Sequence, residues 1–272
     1  MKLNKYWWRE KELDNKPLVI SIVGKGGSGK TVITTLLAKS ISKNYKLKML
    51  LIDADPTHPH LSHMVNLLPE KSLEKLRTDV IDEILTKAKD FEEVAENIDF
   101  EVYNAIAESK DFSLFSIGQP EGPGCFCPSN ALLRKVLSSI SKDFDVVLID
   151  CEAGLEQINR MVIENVDILL IISDISIRSI ETAEAIRKSA KKFTKYKKLG
   201  IILNRAKGNI DFIHKKLKDL NLPLLGEIPE DSNITKFDAK GKSIIDISEN
   251  SKSYLALNNI AEIILNPKFL KS

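Results

Sequence analysis

The chain has 272 residues with Lys+Arg 40 against Asp+Glu 38, a formal charge of +2. That length suits one large α/β core, and that balance argues against a general nucleic-acid binder. Three cysteines, an odd number, exclude a disulfide framework and point to a reducing, cytoplasmic setting; no apolar run reaches the length of a membrane span. The opening MKLNKYWWREKELDNKP lacks the apolar core of a signal peptide, so no membrane is expected among the partners, and the charge balance gives no expectation of nucleic acid.

In chain order, residues 1–17 read as an N-terminal extension, with Tyr6, Trp7 and Trp8 either lying on the main domain as hydrophobic cover or forming a partner patch. From there, runs apolar on both faces predict strands: PLVISIV (17–23), LKMLLI (47–52), FSLFSI (112–117), DVVLI (145–149), DILLII (167–172), LGIIL (199–203) and LLGEI (224–228). Between them, 31–42, 131–140 and 180–192 carry apolar residues at helical spacing. KKFTKYKK reads as a solvated helix end, and the tail YLALNNIAEIILNPKFLKS as a core-packing helix. The alternation predicts an α/β fold, a mostly parallel central sheet flanked by helices, in one domain over 18–272. Chemistry in such folds sits at the carboxyl ends of the strands.

The first of those ends carries GKGGSGKT, residues 24–31, which fits the P-loop pattern G-x-x-x-x-G-K-[ST] between a strand and a helix. Glycines there let successive backbone N–H groups surround phosphate, and the helix N-terminus adds its partial positive charge. Lys30 is expected to reach the β- and γ-phosphates of ATP, and the Thr31 hydroxyl to hold Mg²⁺.

Lys25, directly after the first glycine, resembles the deviant P-loop lysine of the MinD/ParA/nitrogenase-iron-protein family. The likeness extends over 18–265, through LIDADP, DVVLIDCEAG, ILNRA and GEIPEDSNI. It implies a P-loop NTPase fold and ATP hydrolysis by a homodimer in which Lys25 reaches the partner's phosphates. It also implies nucleotide contacts from Gly24, Gly26, Gly27, Ser28, Gly29, Lys30, Thr31 and Val32. Asp55 would orient the attacking water, Asp53 and Asp150 would support Mg²⁺, and Gly154 would lie near the γ-phosphate. Asn204 with Arg205 would meet the base, and the segment around Pro229 and Asp231 would close over it.

QPEGPGCFCPSN, residues 119–130, sets Cys125 and Cys127 one residue apart in a Gly/Pro-rich loop. Two thiolates cannot complete a four-sulfur shell, but two copies facing across a two-fold axis give a Cys₄ site for Ni²⁺, Zn²⁺ or a 4Fe-4S cluster. With EGPGCFCPSNALLRKVL, DFDVVLIDCEAGLEQINR and DILLIISDISIRSIETA, the chain resembles the CooC-type carbon monoxide dehydrogenase maturation ATPases. That resemblance implies Cys125 and Cys127 as metal ligands between protomers, nickel delivery, and a client metalloenzyme such as carbon monoxide dehydrogenase. Buried thiols or a redox pair are the plainer alternative for the two cysteines, and Cys151 reads as a packed thiol. His58, His60 and His63 depart from that family's pattern; they either line an exposed helix or bind a second metal. Two other functions stay open: a reductase like the nitrogenase iron protein, and a MinD/ParA-type positioning ATPase.

Overall fold

The computed structural model describes residues 17–55, 60–86, 100–118, 138, 140–151, 165–193, 195–266 and 269. Among them, eight strands form one sheet: β1 (Leu18–Gly24), β2 (Met49–Ala54), β3 (Ala107–Glu108), β4 (Ser113–Ser116), β5 (Val146–Cys151), β6 (Asn165–Ser173), β7 (Lys195–Ala206) and β8 (Leu224–Pro229). Their spatial order is β3-β4-β2-β5-β1-β6-β7-β8. Every neighbouring pair is parallel except β3 with β4.

The seven expected strands are all present. β3, two residues long, is too short to leave a period in the sequence. β7 begins at Lys195, before the expected apolar run, because Lys195 and Lys197 are exposed while the residues from Gly200 to Asn204 are buried.

Among the described residues, seven helices cover the sheet: α1 (Lys30–Tyr45), α2 (Leu61–Val65), α3 (Leu73–Thr86), α4 (Ile177–Phe193), α5 (Asp211–Asp219), α6 (Ser232–Asp238) and α7 (Lys252–Ile264). Alternate strand residues feed two cores, one on each face. Val19, Val23, Leu50, Ile52, Val147 and Ile149 pack with α3, α4 and α5. Ile20, Ile22, Met49, Leu51, Val146 and Leu148 pack with α1, α2 and α7.

α1 is buried from Ile33 to Ile41, polar residues included. Its interior threonines satisfy themselves on the preceding turn, Thr34 Oγ1 donating to Lys30 O at 3.0 Å and Thr35 Oγ1 to Thr31 O at 2.8 Å. The expected helix over 131–140 lies almost wholly outside the described residues. α7 buries Tyr254, Leu257, Ile260, Ala261 and Ile264 against the sheet, as a core-packing tail requires. Among the described residues, no helix is long and apolar enough to cross a membrane.

Candidate functional site

The β1–α1 turn opens the site at the carboxyl end of the sheet. α1 has no side-chain cap; its N-cap is Gly29 at φ 94°, so the backbone N–H groups of the first turn are left for a ligand. Gly29 is required on two grounds, its left-handed φ and the fact that an added Cβ would meet Asn204 Nδ2 at 2.3 Å. Gly24 is likewise required on two grounds, its positive φ of 154° and a Cβ that would lie 2.3 Å from Ile172 O. Ser28 Oγ is the one buried side-chain oxygen or nitrogen without a partner among the described residues. An uncapped helix end beside an orphaned hydroxyl suits an anion with several oxygens.

The turn is braced from β7. Asn204 Nδ2 donates to Ser28 O at 2.8 Å, Asn204 Oδ1 accepts from Arg205 N at 2.9 Å, and Arg205 Nη2 donates to Gly27 O at 2.8 Å. Arg205 does so from a left-handed backbone, φ 56°. Binding these carbonyls on the outer side leaves the peptide N–H groups directed into the turn. Lys30 Nζ lies 3.5 Å from Lys25 O. Lys25, Gly26 and Gly27 are exposed, and Thr31 and Val32 are half-buried in the first turn of α1.

On the other side of β1, the register pairs Asp53 of β2 directly with Asp150 of β5. Asp53 is 0% exposed and Asp150 2%. Asp53 Oδ1 accepts from Asp55 N at 3.2 Å and Oδ2 from Leu61 N at 3.1 Å, so this carboxylate also shapes the chain leading to α2. Burial, then the Asp150 charge, push the Asp53 carboxyl up to about 7. Burial pushes Asp150 up to about 6, against hydrogen bonds from Thr31 and Thr34 and the charge of Lys30. Thr34 Oγ1 sits 3.3 Å from Asp150 Oδ1. Two acids that burial disfavours as anions, together with the Thr31 hydroxyl, make an all-oxygen donor set suited to a hard divalent cation.

Cys151, next to Asp150, is 2% exposed, 3.2 Å from Ser21 Oγ and 3.6 Å from Ile149 O. Burial pushes its thiol well above the usual range, which describes a packed, protonated thiol.

Asp231, at the far rim, is 7% exposed and saturated by the chain itself. Oδ1 accepts from Asn233 N at 2.9 Å; Oδ2 accepts from Ser251 Oγ at 2.6 Å and Ser253 N at 3.2 Å. Asp231 thereby N-caps α6, while Ser251 N-caps α7 and donates to the same carboxylate. Burial would raise its carboxyl, but these hydrogen bonds hold it below the usual carboxylate range. Pro229 O accepts from Ser253 Oγ at 3.3 Å, in the same knot. This clamp joins positions twenty residues apart, a pairing that no local pattern announces.

Cys125, Cys127, Gly154 and His58 lie outside the described residues. His60 and His63 are exposed on either side of the start of α2, and His63 O accepts from Ser243 Oγ at 2.9 Å. Among the described residues, no group of three or more His, Cys, Asp or Glu side chains is placed to hold a metal ion.

Residues 19–244 match the CobQ/CobB/MinD/ParA nucleotide binding domain family. An uncharacterized ATP-binding protein of Methanocaldococcus jannaschii is 34% identical over 257 residues, 93% of this chain and 100% of that one. The carbon monoxide dehydrogenase accessory protein CooC of Rhodospirillum rubrum is 32% identical over 241 residues, 84% of this chain and 90% of that one. In fold, the chain is similar to a ParA family ATPase from Chlorobium tepidum, with a TM-score of 0.68, 20% identity and 91% and 98% coverage.

Proposed function

The chain belongs to the CobQ/CobB/MinD/ParA nucleotide-binding family and is a P-loop ATPase, and on that premise we propose that it is a CooC-like metallochaperone. In this reading a homodimer couples ATP hydrolysis to delivery of Ni²⁺, or Zn²⁺, from a Cys125/Cys127 site shared by two protomers. The client is carbon monoxide dehydrogenase or a related metalloenzyme. The observation that carries the reading is the likeness to CooC over most of both chains, taken with the C-x-C pair that two-fold symmetry turns into four thiolates.

In this reading the labour is divided among the residues of the site. Backbone N–H groups of the Gly24–Thr31 turn and α1 cradle the phosphates, and the Lys30 ammonium reaches the β- and γ-oxygens. Thr31 and Asp150 would hold Mg²⁺, with Asp53 behind them. That ion would supply positive charge against the negative charge developing on the phosphates. Asp55 orients the attacking water. Lys25 of each protomer crosses to the other's phosphates, so hydrolysis needs two chains. Closure brings the two C-x-C segments into register, and relaxation after hydrolysis loosens the thiolate shell so that the metal passes to the client.

The family also includes MinD and ParA, so a positioning ATPase is the second reading; α7 commits Tyr254, Leu257, Ile260 and Ile264 to the sheet, and its exposed side mixes Leu255 and Ile263 with Lys252, Asn259 and Glu262. A reductase with a 4Fe-4S cluster is a third. The deciding experiment is anaerobic: metal content and visible spectrum before and after Ni²⁺ addition, for wild type and a Cys125→Ser/Cys127→Ser double variant. About one Ni²⁺ per two chains, lost in the double variant, is the expected result. Iron with sulfide would move the chain to the reductase reading, and the absence of metal in both forms would overturn the metallochaperone.

A further inference from the structure

α1 carries two adjacent threonines, Thr34 and Thr35, both fully buried, yet their hydroxyls are used differently. Thr35 Oγ1 donates to Thr31 O at 2.8 Å, a bond confined to its own helix. Thr34 Oγ1 has the equivalent acceptor, Lys30 O at 3.0 Å, but a second lies 3.3 Å away on β5, the Oδ1 oxygen of Asp150. The two residues of that second contact are 116 apart in sequence, and the hydroxyl reaches β5 because α1 packs over that strand. One buried hydroxyl thus joins the peptide of the P-loop lysine to an acid on the ion side.

A hydroxyl has one proton to give, and here it has two acceptors. Lys30 O does not depend on it, because a carbonyl inside a helix already takes the backbone N–H four residues on. Asp150 does depend on it: at 2% exposure its carboxylate has almost no water to accept from, and needs donors supplied by the chain. A carboxylate is also the stronger acceptor of the two, since hydrogen bonds to an ionised group are roughly twice as strong as neutral ones. The proton of Thr34 therefore belongs on the Asp150 carboxylate. Packing alone does not call for threonine at this position, because valine has nearly the same shape and a similar helix propensity and brings no polar atom into the core.

We propose that Thr34 is a positioning residue for Asp150: its hydroxyl holds one oxygen of the carboxylate, so that the acid keeps a single orientation toward the divalent cation that accompanies the nucleotide. The proposal rests on the reading of Asp150 as an acid of the ion site. Thr31, three residues earlier, shares this side of α1, so the helix presents one hydroxyl for the ion and a second for the acid behind it. Thr34 touches neither nucleotide nor ion and acts through Asp150 alone. Its loss weakens what the cation adds to nucleotide binding and leaves binding without the cation as it was.

The test is calorimetric titration of the full chain with a non-hydrolysable ATP analogue, in Mg²⁺ and in EDTA, for wild type, Thr34→Val, Thr34→Ser, Asp150→Asn and the Thr34→Val/Asp150→Asn double variant. The quantity read is the ratio of the two dissociation constants, EDTA over Mg²⁺. We expect Thr34→Val to lower that ratio by about threefold to tenfold, the loss of one hydrogen bond to a carboxylate, with the constant in EDTA unchanged. Thr34→Ser, which keeps the hydroxyl, should restore the wild-type ratio, and Thr34→Val should add nothing in the Asp150→Asn background. Should Thr34→Val lose its circular dichroism signal, Thr34→Ala takes its place. With the ratio collapsed in Asp150→Asn, a Thr34→Val that equals wild type, or that weakens binding by the same factor in Mg²⁺ and EDTA, overturns the role of Thr34 alone. An Asp150→Asn ratio equal to wild type overturns that role and the reading of Asp150 together.

Discussion

The two sides of the nucleotide end are built on opposite electrostatic plans. On the β2–β5 side, Asp53 and Asp150 are buried and in register, and each is pushed up, to about 7 and about 6. On the β1–β6–β7 side, Lys25 and Arg205 flank Asp174, near solvent; against burial, hydrogen bonds from Ser176 and those two charges hold its carboxyl below the usual range. The first arrangement is incomplete without a cation and cannot rearrange, because each acid sits on a strand inside the sheet. The second carries one more cation than acid and can rearrange, because Lys25 is exposed. Two rigid, buried like charges suit holding a cation; an exposed lysine suits reaching beyond its own site.

The largest effect expected from breaking this contrast is at Asp150. Asp150→Asn should cut ATP turnover by about 100-fold or more. It should also raise the melting temperature of the ligand-free protein by about 2–4 °C, because one of two buried like charges is gone. A fall in both would show that Asp150 stabilises the empty fold, against the account.

Asp231 sharpens the contrast as a buried carboxylate whose partners are all present. Asp231→Ala should cost about 2–3 kcal/mol in denaturant unfolding, by loss of the α6 cap and of the acceptor for Ser251. Because its folded-state pKa is lowered, this stabilisation is present above the unfolded value of about 4 and is lost as pH falls through the folded value.

The acid pair has the opposite sign. Its raised values mean that the folded state keeps protons the unfolded chain releases, so its contribution to stability declines between about pH 4 and 7. The melting-temperature gain from ADP with Mg²⁺, over ADP alone, should therefore be a few degrees larger at pH 7.5 than at pH 5.5. An equal gain at both pH values would remove the acids from the ion site.

The smallest effect is at Cys151. Burial with a raised thiol pKa predicts that alkylation of Cys151 in the native protein, followed by peptide mass, proceeds only as fast as unfolding. Rapid labelling would mean that the strand end beside Asp150 opens.

The sheet was legible because buried parallel strands need continuous apolar runs, and the ATP site because a P-loop is local in sequence. β3 escaped because two residues carry no period. Thr34 escaped because a threonine inside a helix reads as a packed residue; its acceptor Asp150 comes from a strand distant in sequence. The resemblance directed attention at Asn204 and Arg205 toward the base, while the structure engages both with P-loop carbonyls. Such contacts depend on sheet order, which motifs do not encode.

The measurement that bears most directly on the central claim, a rigid ion-holding half worked by a lysine that crosses between chains, is ATP turnover per chain against protein concentration for wild type and Lys25→Ala. The account predicts that wild-type turnover per chain rises with concentration toward a plateau, while Lys25→Ala stays low throughout. Turnover independent of concentration, with Lys25→Ala equal to wild type, would contradict it.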